Sequence, residues 1–263
     1  MPGVTASRQP KLSREEIHTL LVDVGRTILR EEGMGTGAEA LTFKRVLERV
    51  ERDHGVRLTN ASIIKRVWDN QADFQTDVLV AIAADEGITE FEQTLDALTE
   101  VFATVDLSTP EGRWSSVREI CRVGGAANMD ALADSANWPS WIGVWTLTTS
   151  SDRPAVPDRI ERALAAGYQS FTAHFEKTYL AMADYVGIRL KGPLTIRQFT
   201  IAVGALAEGC VLRTRVDADN MEGLRLPTGP EGELQEWTLF SIGLDALVRQ
   251  FFELIPDWDP PDG

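Results

Sequence analysis

HGVRLTNASIIKRVW, residues His54–Trp68, contains no acidic residue, in a chain of 263 that carries 40 Asp and Glu against 26 Lys and Arg. Arg57, Lys65 and Arg66 lie inside it. A turn and helix that avoid carboxylates against so acidic a background describe a surface that approaches a polyanion, with double-stranded DNA as the first candidate. Thr59 is positioned to cap a helix whose inward face carries Ile63 and Val67 and whose end Trp68 closes. Acidic residues usually occupy a helix's first turn, each contributing about 0.3–1 kcal/mol against the dipole. Here Asn60, Ala61 and Ser62 stand instead. An uncharged amino end leaves its N–H groups to phosphate, and small polar side chains there reach base edges in the major groove. The alternative is a plain polar surface patch.

Working outward, Ser13 and Glu16 form a capping box ahead of Ile17, Leu20, Leu21, Val24, Ile28 and Leu29, a helical repeat that Gly33 stops. After a loop with Gly33, Gly35 and Gly37, the residues Phe43, Val46, Leu47 and Val50 predict a second helix to about His54, ended by Gly55. Two helices joined by a short Gly-containing turn, the second amphipathic and free of acids, make a helix-turn-helix pattern.

Charge divides along the chain: residues 1–66 hold 12 Lys and Arg against 9 Asp and Glu, and the remainder holds 14 against 31. A weakly basic head thus sits on a strongly acidic body, which repels phosphate or merely keeps the body soluble. At 43% hydrophobic content the length suits two domains. The longest apolar run, 199–212, is broken by Glu208, so no membrane span is expected. Pro2, Arg8, Pro10 and Lys11 offer no signal-peptide core, and the expectation is a cytoplasmic protein. Cys121 and Cys210 stand apart from each other and from the three histidines, which suits buried free thiols and no metal site.

Beyond Asn70 the pattern is helical almost throughout. Phe74, Val78, Leu79 and Ile82 mark one segment and Phe91, Leu95, Leu98 and Phe102 the next, with an interruption at Pro110 and Gly112. A helix is expected near Arg113, and another opened by Asn137 and Pro139 with Trp138, Trp141 and Trp145 on one face. Residues 152–157 read as a loop, followed by helices over about 157–186, from Pro193 and Thr195 to Arg213, and over 233–254. Met221–Gly232 reads as a loop, and no run shows convincing period-two alternation. The fold expected is all-α.

At these residues the chain resembles the TetR family of bacterial transcriptional regulators. Leu58–Phe74 is similar to the family's recognition helix and its junction with the fourth helix, Ala207–Arg213 to its penultimate helix, and Trp237–Phe252 to its final apolar helix. Ile64 stands where members often have Tyr, one residue is inserted around Val67, and the second helix is longer. The resemblance implies a homodimer with a DNA-binding domain over residues 13–86 and a ligand-binding and dimerisation domain over 87–255. Residues 1–12 and 256–263 are expected to be disordered ends. It also implies that the last two helices form a four-helix bundle across a two-fold axis, and that an effector releases the DNA, making the protein a repressor. Lys44, Arg57, Lys65 and Arg66 would contact phosphates, and Thr59, Asn60, Ala61 and Ser62 would lie at the base-reading end.

One such unit offers few contacts, which is the physical reason for pairing on a palindromic operator. For the dimer surface the expectation is Ile201, Val203, Leu206, Leu244, Leu247, Val248 and Phe251, on helices that are apolar over more than one stripe. Each has ordinary core packing as its alternative. Trp114, Trp138, Trp141, Trp145, Tyr168, Phe171, His174, Phe175 and Tyr179 concentrate aromatic character that would line a small-molecule effector pocket or fill a core. No cofactor is expected. Two other classes compete. A helical-bundle enzyme would use repeated Glu-x-x-His pairs; Glu15 and Glu51 stand three residues before His18 and His54, and Phe171 stands there before His174. A protein-interaction module with a vestigial helix-turn-helix would use the acidic body to hold a basic partner.

Overall fold

The computed structural model of the chain describes residues 12–34, 41–63, 66–84, 88–149, 158–221, 223–228 and 232–260, which are predominantly helical. Among them no helix is long and apolar enough to cross a membrane. The chain forms two compact units, Met1–Asp85 with Ala136–Gly167, and Glu86–Ser135 with Tyr168–Gly263.

In the first unit, α1 (Arg14–Glu32) opens on the expected capping box and ends at Gly33, whose φ of 78° is open to glycine. α2 (Phe43–His54) is capped by Thr42 and closed by Gly55 in the left-handed region, at φ 66°. α3 (Asn60–Ile63) is short, although the Val67 N–H still bonds to the Ile63 carbonyl in helical fashion at 2.9 Å. α4 (Gln71–Ala83) follows, capped by Asn70. These elements bury Leu21, Leu29, Val46, Val50, Ile63, Phe74 and Val78 in one core.

Two later pieces join that core rather than the body. Val144 of α7 (Trp138–Thr148), and Ile160 and Leu164 at the start of α8 (Asp158–Tyr185), are buried among the residues of α1–α4. The first unit therefore takes in 136–167 as well as the head, because long-range apolar packing groups segments that sequence order separates.

The second unit contains α5 (Ile88–Thr104), α6 (Pro110–Asp134), the rest of α8, α9 (Ile196–Val216) and α10 (Leu239–Phe251). The expected interruption falls between α5 and α6, and the helix expected near Arg113 begins at Pro110 behind the Thr109 cap, since a first-turn position needs no N–H from proline. The core here is built on Val117, Cys121, Val186, Phe199, Val203, Val211, Phe240, Val248 and Phe252, with Tyr179–Phe199–Phe252 joined edge to face.

Among the described residues two short antiparallel strand pairs accompany the helices. β1 (Ile188–Leu190) pairs antiparallel with β4 (Phe252–Leu254), and β2 (Leu224–Thr228) with β3 (Glu233–Trp237). The hairpin occupies part of the expected loop and the first turn of the expected last helix, which starts instead at the Thr238 cap. Its reason is local: Leu224 and Leu226 alternate with Arg225 and Pro227, and Trp237 is buried with its Nε1 donating to Thr228 Oγ1 at 2.7 Å.

Candidate nucleic-acid interface

In the segment between α2 and α3 burial alternates from residue to residue. Val56 and Leu58 pack against the first unit's core, while Arg57, Thr59 and Asn60 are exposed. Ile63 is fully buried and anchors the far end of α3. Thr59 and Asn60, at the acid-free amino end of α3, are therefore exposed, with three apolar side chains of the segment turned toward the core. Ala61 and Ser62 belong to α3, and Lys65 lies outside the described residues.

α2 is positioned by α4. Gln71 Oε1 accepts from the Phe43 N–H at 3.1 Å, and Gln75 Nε2 donates to the Leu41 carbonyl at 3.0 Å. This leaves Lys44 in a first turn without acids, its side chain 83% exposed and 4.0 Å from Glu48. The Arg57 side chain is 81% exposed, 3.6 Å from Glu51. The arginines within α2 are tightly paired. Arg49 forks onto both oxygens of Glu31 at 2.6 and 2.9 Å and also bonds Asp53, Arg45 pairs with Glu32, and Arg52 donates to Asp53 at 2.9 Å. The sequence count of basic residues thus overstates the charge on offer: Lys44 and Arg57 hold their carboxylates loosely, and Arg45 and Arg49 do not. Arg66 is exposed, with Nη2 donating to the Leu12 carbonyl at 3.2 Å, and Arg14 returns a bond to the Val67 carbonyl at 3.4 Å. The start of α1 and the turn after α3 are cross-tied by this exchange.

Asp77 of α4 was not singled out by sequence reasoning. Its Oδ2 accepts from Trp68 Nε1 at 2.7 Å and lies 2.9 Å from His18 Nε2, and its Oδ1 accepts from Arg159 Nη2 at 2.7 Å. The side chain is only 13% exposed. Burial works against its charge, but the bonds from Trp68, His18 and Arg159 together outweigh that and hold its pKa below the ordinary aspartate range. The signal available in the sequence was an acid between Phe74 and Val78 on the apolar side of α4.

The residues expected at a dimer surface separate into two groups. Val203 and Val248 are buried in the second unit's own core, at 5% and 8% exposure, which corrects the expectation for them. Leu206, Leu244, Leu247 and Phe251 are half-buried against that core. Ile201 is exposed, and with Ala205, Leu212 and Val216 it lies on the side of α9 opposite the buried row Phe199, Val203, Ala207 and Val211, a side that the half-buried Glu208 divides. Leu212 and Val216 were missed because core and outward stripes look alike in one sequence.

The expected aromatic pocket is divided. Trp138, Trp141 and Trp145 belong to the first unit, where α7 buries Ser140, Ile142 and Val144 and leaves Trp145 40% exposed. Trp114, Tyr168, Phe171, His174, Phe175 and Tyr179 belong to the second. There Phe171 packs on Phe175 at 4.3 Å between ring centres, His174 is exposed, and the Arg249 guanidinium covers the Trp114 ring at 5.2 Å. Tyr168 donates its hydroxyl to Glu208 Oε1 at 3.0 Å, and burial raises the Glu208 pKa despite that bond. Burial also raises the Cys121 and Tyr179 pKa values, in keeping with a core thiol and phenol.

Comparison with protein-family models, with curated proteins and with solved structures found no match for this chain.

Proposed function

We propose that the chain is a sequence-specific DNA-binding transcriptional regulator of the TetR type, a homodimer that reads a palindromic operator and is released from it by a small-molecule effector. One observation carries the reading: the turn before α3 is held by Val56, Leu58 and Ile63 and presents Arg57, Thr59 and Asn60 outward, with no acid in the segment. A helix-turn-helix needs that combination of a rigid underside and a clean, polar, cationic outer side. Lys44 and Arg57 contribute backbone affinity, joined by Lys65 and Arg66, and Asn60 contributes base discrimination. Ile201 and Ala205 on one side of Glu208, and Leu212 and Val216 on the other, support the second copy, since exposed apolar side chains gathered on one side of a helix suit a partner.

Binding-site selection from a random duplex pool tests this directly. Enrichment of a two-fold symmetric sequence, bound by a species of twice the chain mass in sedimentation, is the expected result. Recovery of no consensus, or binding equal on all duplexes at moderate salt, would overturn it.

A further inference from the structure

Arg159 stands in the first turn of α8, at one end of the stretch 158–167 that belongs to the first unit. Its guanidinium holds one oxygen of Asp77, and Trp68 and His18 share the other. At the far end of that stretch Gly167 approaches α4 so closely that a Cβ would lie 2.9 Å from the Ala83 carbonyl oxygen. Ile160 and Leu164 between them are buried in the first unit's core. The start of α8 thus meets α4 through a polar contact at one end and a close backbone approach at the other, with two apolar side chains buried in the first unit's core between them. The same helix continues without a proline to Tyr185, within the second unit.

What Asp77 holds is the turn that follows α3. Trp68 is buried, stacks on His18 at 5.0 Å between ring centres, meets Phe74 edge-on at 5.0 Å and lies 6.3 Å from Phe43, the first residue of α2. Its indole is therefore shared by α1, α2 and α4, and its only polar atom is fixed by the Asp77 oxygen that Arg159 leaves to it.

We propose that Asp77 is a latch: Arg159 fixes its carboxylate so that the second oxygen stays aimed at Trp68 and His18, and withdrawal of Arg159 by a shift of α8 along α4 loosens the turn after α3 and lowers affinity for DNA. This rests on the regulator reading above and supplies its regulation, with Asp77 and Arg159 as positioning residues that touch no base or phosphate. A shift of α8 biases the head only through the difference in contacts between seated and unseated states, which here is the Arg159–Asp77 pair and the Gly167 approach.

The test uses the full chain. The indole N–H of Trp68, assigned by its loss in Trp68→Phe, is followed by hydrogen exchange without DNA in wild type, Arg159→Met, Arg159→Lys and Gly167→Ala. Affinity for the selected duplex and thermal melting are measured on the same set. Arg159→Met is expected to speed indole exchange and weaken duplex binding by about fivefold, the low end of couplings between sites. Arg159→Lys should recover most of both, and Gly167→Ala should act in the direction of Arg159→Met without touching a charge. Unchanged indole exchange in Arg159→Met overturns the latch, whatever the DNA result. Faster exchange with unchanged affinity, in a wild type that binds its duplex selectively, overturns the coupling and leaves the regulator reading standing. A wild type that binds no duplex selectively, with the exchange effect intact, instead refutes the regulator reading.

Discussion

The two classes of arginine in the head differ in what their removal does to the salt dependence of DNA binding. Arg57 is 81% exposed and 3.6 Å from Glu51, so its charge is available to a phosphate. Arg49 forks onto Glu31 and bonds Asp53, so two carboxylates already neutralise it. Each neutralised phosphate contributes about 0.9 to the slope of log K against log salt, and a dimer carries two copies of each residue. Arg57→Gln should therefore make the slope shallower by about 1.8. Over a fourfold rise in salt, from roughly 50 to 200 mM, that is about a twelvefold smaller loss of affinity than wild type suffers. Arg49→Gln should leave the slope unchanged, although it weakens binding somewhat by exposing Glu31 and Asp53. Glu51→Gln, which frees Arg57, should strengthen binding, and Arg57→Lys should retain the wild-type slope. Fluorescence anisotropy of a labelled duplex across a salt series measures all five proteins. Equal slopes for Arg57→Gln and wild type, or an equal drop for Arg49→Gln, would refute the argument that ion pairing within the head selects which cations meet DNA.

Asn60, exposed at the start of α3, should act differently: Asn60→Ala is expected to relax the selected consensus at one position per half-site, by about 1–3 kcal/mol of discrimination, and an unchanged consensus in repeat selection would remove that role. On α9, Val216→Arg, at a side chain 80% exposed, should shift sedimentation toward the single chain with little loss of folded stability. Val203→Ala should do the reverse, costing about 2 kcal/mol in denaturant unfolding while leaving association intact. For Glu208, burial raises the folded pKa above its ordinary unfolded value, so the folded state binds the proton more tightly and stability from this group falls as pH rises through the folded pKa. Glu208→Gln keeps an acceptor for Tyr168 and should melt higher than wild type at pH 7, with the gap closing near pH 4; a constant gap would show that charge is not the cause.

The local elements of the first unit are legible in the chain because their signals are local. Ser13 with Glu16, Gly33 and Gly55 satisfy or release backbone groups within a turn of themselves, and the structure uses each as the sequence predicts. The alternation of Val56 and Leu58 with Arg57 and Thr59 belongs to the same class. The hairpin was less legible, because strands of five residues pair only when the partner lies opposite, and Leu224–Thr228 reads as a loop until Trp237 closes over it.

Residue order and spacing by themselves determined the predominantly helical character of the chain, the caps of its first helices and the absence of carboxylates around Asn60. The tertiary structure decided which side of α9 is interior, that Val203 and Val248 are core while Ile201 and Val216 are not, that Arg45 and Arg49 are spent on Glu32 and Glu31, and that Asp77 gathers His18, Trp68 and Arg159. The division follows from range. Periodicity and capping act over three or four residues, whereas burial and ion pairing depend on groups 18 to 82 positions apart, as for Arg49 with Glu31 and Arg159 with Asp77, and only the folded chain brings these together.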